Sequence, residues 1–215
     1  MKTKLLPFLA IAACALTALP LRSEFTAAKA FVTAPQTVLP LLDSTTRLDM
    51  LDYHASGMDV KSTNVLRGKS GVKSLSPQAI EIDMTEVSDY LIAVLPPKSG
   101  TDTLVAVITT MDVPEQDSRL DIYSSDWSRA LTDRVFRAPA VRDWLTPLGK
   151  SHADQVTEMV PFMLVAYSYD PSTRLLTLTN NTGKSLSSED SAAVRPYLRD
   201  KLQYEWNGRR FEPRP

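Results

Sequence analysis

Apolar residues fill five consecutive positions from Leu104 to Ile108, whereas Arg119 to Tyr123 alternate polar with apolar. A continuous run suits a strand covered on both faces, and strict alternation suits a half-buried one. With the polar stretch between them, Asp102 to Trp127 reads as a hairpin around which the rest of the fold is arranged. Ile80, Ile82 and Met84 alternate with Glu81 and Asp83, Tyr90 to Leu95 forms a second apolar run, and Pro96-Pro97-Lys98-Ser99-Gly100 supplies the turn into the hairpin. Four consecutive strands joined by such short turns predict an antiparallel meander, because parallel neighbours need a crossover of about a dozen residues.

Upstream, Asn64 to Ser76 is polar and carries Gly68 and Gly71, which predicts a loop or a short edge strand. Gln36 to Leu42 has room for one or two helical turns. A longer helix is expected from Asp43 or Ser44, either of which can cap it, to a stop at Gly57. On that helix Leu48, Leu51 and Ala55 share a face with Met50 beside them, and Arg47, Asp49 and Asp52 are expected to face water.

Downstream the pattern weakens between Ser128 and Pro161, where Pro139 suits the first turn of a short helix carrying Val141, Trp144 and Leu145. Phe162 to Tyr169 and Leu175 to Thr179 read as a hairpin around Asp170-Pro171-Ser172-Thr173. Its text echoes the first hairpin, Leu164-Val165-Ala166 matching Leu104-Val105-Ala106, which suggests a duplicated unit. Ser187 to Asp190 starts a helix with Val194, Leu198 and Leu202 as its buried stripe, interrupted at Pro196. Trp206-Asn207-Gly208-Arg209 is a two-residue hairpin signal. The expectation is an α+β fold: an antiparallel meander sheet with helices packed on one face, with tandem related units as an option and an internal boundary near 128–160. By analogy alone the arrangement is β-lactamase-inhibitor-like.

The first 23 residues change the picture of compartment. Lys2 and Lys4 precede an apolar stretch from Leu5 to Leu19 without any acid, the form of a secretory signal rather than a membrane span. Residues 24–215 would then be a single exported domain, periplasmic or in the cell envelope. Losing Lys2, Lys4 and Arg22 takes the formal charge from −1 to −4, which offers no electrostatic footprint for nucleic acid. Cys14, the single cysteine of the 215 residues, lies inside this leader, so the exported part has no disulfide, no thiol nucleophile and no cysteine metal ligand. Ile11-Ala12-Ala13-Cys14 resembles a lipoprotein processing box, and lipid attachment at Cys14 is the alternative to a free chain.

Leu39-Pro40-Leu41-Leu42, Arg47-Leu48-Asp49-Met50-Leu51-Asp52, Gly57-Met58, Asn64 with Leu66, Gly68 and Ser70, Pro114 with Asp117-Ser118, Tyr123 and Trp127 form an ordered series between residues 39 and 127, and the resemblance they carry covers nearly the whole mature chain. In order and spacing this series resembles an exported family, largely confined to Bacteroidales, known only as a domain of unknown function. The resemblance implies scaffold and compartment, and brings no catalytic signature.

Candidate chemistry is sparse. His54 and His152 are the two imidazoles, and neither has a second histidine at metal-ligand spacing. Glu81, Asp83, Glu86 and Asp89 are placed to line a cleft as a glycosidase pair, or to keep a strand edge soluble. Asp112, Glu115, Asp117 and Asp121 gather near one turn without the order of a calcium loop. No glycine-rich phosphate loop and no GxSxG is present. Trp127 and Trp206, beside turns, are the candidate anchors of a binding surface. The expected function is a non-enzymatic module binding an envelope protein or glycan, with no cofactor and no metal. A carboxylate-based hydrolase is the alternative.

Overall fold

A computed structural model describes residues 25–99 and 101–214; the predicted leader with Cys14 lies outside the described residues. Two helices, α1 (Ala27–Thr33) and α2 (Ser44–Ala55), precede six strands: β1 (Ser62–Thr63), β2 (Lys69–Leu75), β3 (Ala79–Thr85), β4 (Ser88–Leu95), β5 (Leu104–Met111) and β6 (Asp117–Ser124). Each strand pairs antiparallel with the next, so the expected meander is present and extends to six strands. β4 and β5 run in register from Leu95 opposite Leu104 to Ser88 opposite Met111. Their alternate residues enter different cores. Ile92, Val94, Val105 and Val107 pack with Phe31, Leu39, Leu42 and Met50 on one face. Ala93, Leu95, Leu104, Ala106 and Ile108 pack on the other against the C-terminal half. Burial on both sides is the reason these strands carry no polar alternation.

The caps of α2 are as expected: the Asp43 carboxylate accepts the Thr46 N–H at 2.7 Å, and Gly57 ends the helix at φ +66°. Its buried face is not. Arg47 is 3 % exposed and Met50 is buried beside it, whereas Leu48 is exposed. The Arg47 guanidinium donates to the carbonyls of Leu42 (3.0 Å), Phe31 (3.1 Å), Val32 (3.2 Å) and Ala34. Three of these lie at or just past the end of α1, where carbonyls have no intrahelical partner, so the cation caps one helix from the start of another. The second correction is α1 itself. Residues 36–42 form turns rather than a helix, and the helix lies upstream, started by Thr26 and burying Ala27, Ala30 and Phe31.

The C-terminal half contains α3 (Thr132–Val135), a 3-10 turn at Val141–Trp144, α4 (Pro147–Lys150) and α5 (Ala153–Met159). There follow β7 (Val165–Asp170), β8 (Leu175–Asn180), α6 (Ser188–Val194), β9 (Lys201–Trp206) and β10 (Phe211–Arg214), the strands forming a second antiparallel sheet ordered β10-β9-β8-β7. Leu202 lies on β9 rather than on a continued helix, because α6 gives way to a 3-10 turn holding Pro196. The last hairpin is also wider than two residues. Trp206 pairs with Phe211, and Asn207 Oδ1 accepts the N–H groups of Arg209 and Arg210 at 2.9 and 3.0 Å.

The smaller sheet lies over the face of the larger one opposite α1 and α2. Leu176, Leu178, Trp206 and Phe211 share a core with Ala106, Ile108, Leu120 and Ile122. Side chains of β6 close the edge of β7: the N–H groups of Val165 and Tyr167 donate to Asp117 Oδ1 (2.9 Å) and Ser118 Oγ (3.0 Å). That satisfies two edge donors which would otherwise invite another strand.

Candidate functional site

In a meander, alternate turns fall at the same end of the sheet. The β1–β2, β3–β4 and β5–β6 turns therefore form one end, and hydrogen bonds tie them together. Asn64 is buried; its amide donates to Ser70 Oγ (3.0 Å) and Met84 O (3.2 Å), while its Oδ1 accepts the N–H groups of Leu66 and Gly68, both at 3.0 Å. The Asp112 N–H donates to Val87 O at 2.9 Å, joining the next two turns. Buried Asn181 donates to Gln116 O at 2.9 Å, joining the third turn to the smaller sheet. Thr182 Oγ1 accepts the N–H of Leu164 at 3.0 Å, fixing the approach to β7.

This framework holds apolar side chains outward. Leu66 is 69 % exposed and Phe162 62 %, and Val65, Val87, Met111 and Val113 at the same end are exposed as well. Scattered exposed apolar residues are ordinary, whereas these are gathered at one end of a sheet, on turns held by buried asparagines. The charges nearby are mixed, Lys184 lying 3.8 Å from Glu115.

The opposite end holds an open cleft of about 1320 Å³ between the β4–β5 and β7–β8 loops, with Asp102, Asp126, Arg129, Asp170 and Arg174 among its lining. Its acids are engaged. Asp126 accepts from Ser124 Oγ (2.6 Å), Ser128 Oγ (2.8 Å) and the Ser128 N–H (3.1 Å), which lower it to about 2. Asp170 is lowered by the hydroxyls of Ser172 and Thr173, and Asp102 lies 3.6 Å from Arg129. Outside the cleft, Asp43 is lowered by the Thr46 amide, Glu212 by Arg210, and Asp83, against the opposing effect of burial, by Lys61 and Lys73. A glycosidase acid must instead be raised so that it keeps its proton near neutrality. The Asp126 carboxyl is expected to titrate in the folded protein with a midpoint near 2, measured by carboxyl NMR. Being depressed, it favours the fold above the unfolded value of about 3.9 and loses that contribution as pH falls toward 2. A midpoint near 4 would mean that the serine hydroxyls do not hold it.

The sequence candidates are dispersed. Trp206 is 1 % exposed, in the core between the sheets, with its Nε1–H donating to Pro96 O at 2.7 Å, so it offers no surface to a partner. Trp127 is half-buried on the other side of the six-stranded sheet, 5.4 Å from the Tyr123 ring, its Nε1–H donating to Thr33 Oγ1 at 3.2 Å. The two do not share a face. His54 lines a pocket of about 230 Å³ with Lys61 and Asp83, and His152 packs 5.0 Å from Tyr197. Lys73 bridges Asp83 (3.3 Å) and Asp89 (3.0 Å), and Arg119 pairs with Asp121 at 2.8 Å. Among the described residues no group of three or more His, Asp or Glu is placed to hold a metal ion. Sequence reasoning missed the apolar turn tips. The signal was there: Val65-Leu66, Val87 and Val113 interrupt polar turn text.

A family model described as "Protein of unknown function (DUF3256)" matches residues 22–211. A domain of an uncharacterized protein from Porphyromonas gingivalis W83 has a similar structure, with 23 % sequence identity, a TM-score of 0.74, and coverage of 87 % of this chain and 96 % of that one. No curated protein matches the chain.

Proposed function

The chain belongs to the DUF3256 family of proteins of unknown function, and we propose that it is an exported, non-enzymatic envelope module that binds a protein partner through the apolar turn tips. The observation carrying this reading is the buried Asn64 and Asn181 network that holds Leu66, Val87, Val113 and Phe162 outward. Rigid loops presenting apolar anchors need little ordering on binding, so more of the contact energy appears as affinity. Mixed charge around the tips favours a protein over an anionic lipid surface, which would call for a basic rim. Export follows from the charged and apolar leader; no helix among the described residues is long and apolar enough to cross a membrane.

The immobilised mature chain is expected to retain one envelope protein from extracts at roughly stoichiometric amounts. The triple variant Leu66→Ser, Val113→Ser, Phe162→Ser should lose it while melting within about 2 °C of wild type, because exposed side chains contribute little to stability. Retention unchanged by the triple variant would remove the tips from the interface. Turnover of a glycoside, abolished by changing one carboxylate without unfolding, would replace the reading with the hydrolase.

A further inference from the structure

A groove of about 340 Å³ separates the segment after α3 from the edge strand β10, with Tyr204 and Phe211 in its lining and Arg137, Arg199 and Arg214 around it. Each arginine sits on an independently fixed backbone. Phe136, next to Arg137, packs edge-on against Tyr204 at 5.3 Å and Phe211 at 6.0 Å. The Arg199 N–H donates to Trp144 O at 2.8 Å, and Arg214 pairs with Gln203 across the last hairpin. None of the three arginines joins an ion pair among the described residues. Asp143, the one acid in the lining, uses its Oδ2 to accept the Ala140 N–H at 2.8 Å. In a chain of formal charge −1 this is a local concentration of positive charge and not a general property of the surface.

We propose that this groove binds an anionic saccharide, with guanidinium forks on its carboxylate or sulfate and the sugar ring against Tyr204. Planar guanidinium matches a flat or tetrahedral oxyanion with paired donors, which ammonium cannot do. An aromatic side chain gives the apolar face of a sugar something to pack on while its hydroxyl stays available for hydrogen bonding. The groove is larger than an inorganic ion needs, and three arginines in one groove are too few and too confined for a nucleic-acid track.

Titration calorimetry of the full mature chain with oligogalacturonate, a sulfated oligosaccharide and maltotriose tests this. At least one of the two anionic sugars should bind, with affinity falling as salt rises, and maltotriose should bind at least about tenfold more weakly. Arg137→Gln with Arg199→Gln should weaken binding about tenfold or more at unchanged melting temperature. Arg195→Gln with Arg209→Gln, outside the groove, should leave it intact. The proposal falls if neither anionic sugar binds, if both double variants lose affinity equally, or if duplex DNA or phosphatidylserine vesicles bind as tightly through the same arginines. The turn tips are untouched throughout, so the result is independent of the protein-partner reading.

Discussion

Arg47→Met is expected to melt on the order of 10 °C below wild type. The guanidinium is buried and makes its hydrogen bonds to the carbonyls of Phe31, Val32, Ala34 and Leu42, without a carboxylate. Burial pushes it down from its usual value, but arginine starts so high that it stays charged. Methionine fills similar volume and supplies no donor, which leaves several carbonyls buried and unpaired. Each buried carbonyl left without a donor costs about 1 to 3 kcal/mol, and in a chain of this size each kcal/mol moves the midpoint by about 2 to 4 °C. Hydrogen exchange should show α1 losing protection first, since these contacts join its end to α2. Arg47→Lys should recover only part of the loss, because one ammonium cannot reach carbonyls spread around a planar fork. If the methionine variant melts within about 2 °C of wild type, the guanidinium is not what joins the helices.

Val107→Asp should lose a comparable amount, about 3 to 5 kcal/mol. Val107 is 2 % exposed on β5, opposite Ile92 on one neighbour and Asp121 on the other, and it packs into the core beneath the two helices. The new carboxylate would be desolvated beside an Asp121 that Arg119 already neutralises, so burial is what opposes its ionised form. Because its folded-state pKa would be raised, the charge-related part of the stability deficit should shrink as pH falls through that raised value and be gone below the unfolded value of about 3.9. A thermal denaturation series across pH measures this; a deficit that stays constant with pH would point to steric disruption in place of charge.

The legible parts of the fold are those whose signal is local. β4 and β5 stand out because burial on both faces leaves no polar position from Ile92 to Leu95 or from Leu104 to Ile108, and the ends of α2 stand out because Asp43 and Gly57 do their work within a turn. Arg47 was misread because a cation on a helix faces water unless something supplies acceptors, and those acceptors belong to α1, beyond the reach of any periodicity. Leu202 was misread for a different reason. Val194, Leu198 and Leu202 are spaced by even numbers, which fit a strand as well as a helix, and it was Pro196 that ended the helical reading. For the candidate site, Asn64 with Leu66, Gly68 and Ser70 already carried the family resemblance, but their meaning as a buried network under exposed tips depends on Met84, which arrives from β3.

What the sequence by itself determined is the antiparallel strand set, the short turns that make consecutive strands neighbours, and an α+β architecture with helices against the sheet. These follow from alternation, capping and turn chemistry, each complete within a few residues. Only the tertiary structure decided that Arg47 faces inward, that Trp206 is core and Trp127 a half-buried contact to α1, and that the apolar residues of separate turns gather at one end. Those outcomes depend on what packs opposite each side chain, and a side chain's surroundings come from parts of the chain that no local pattern records.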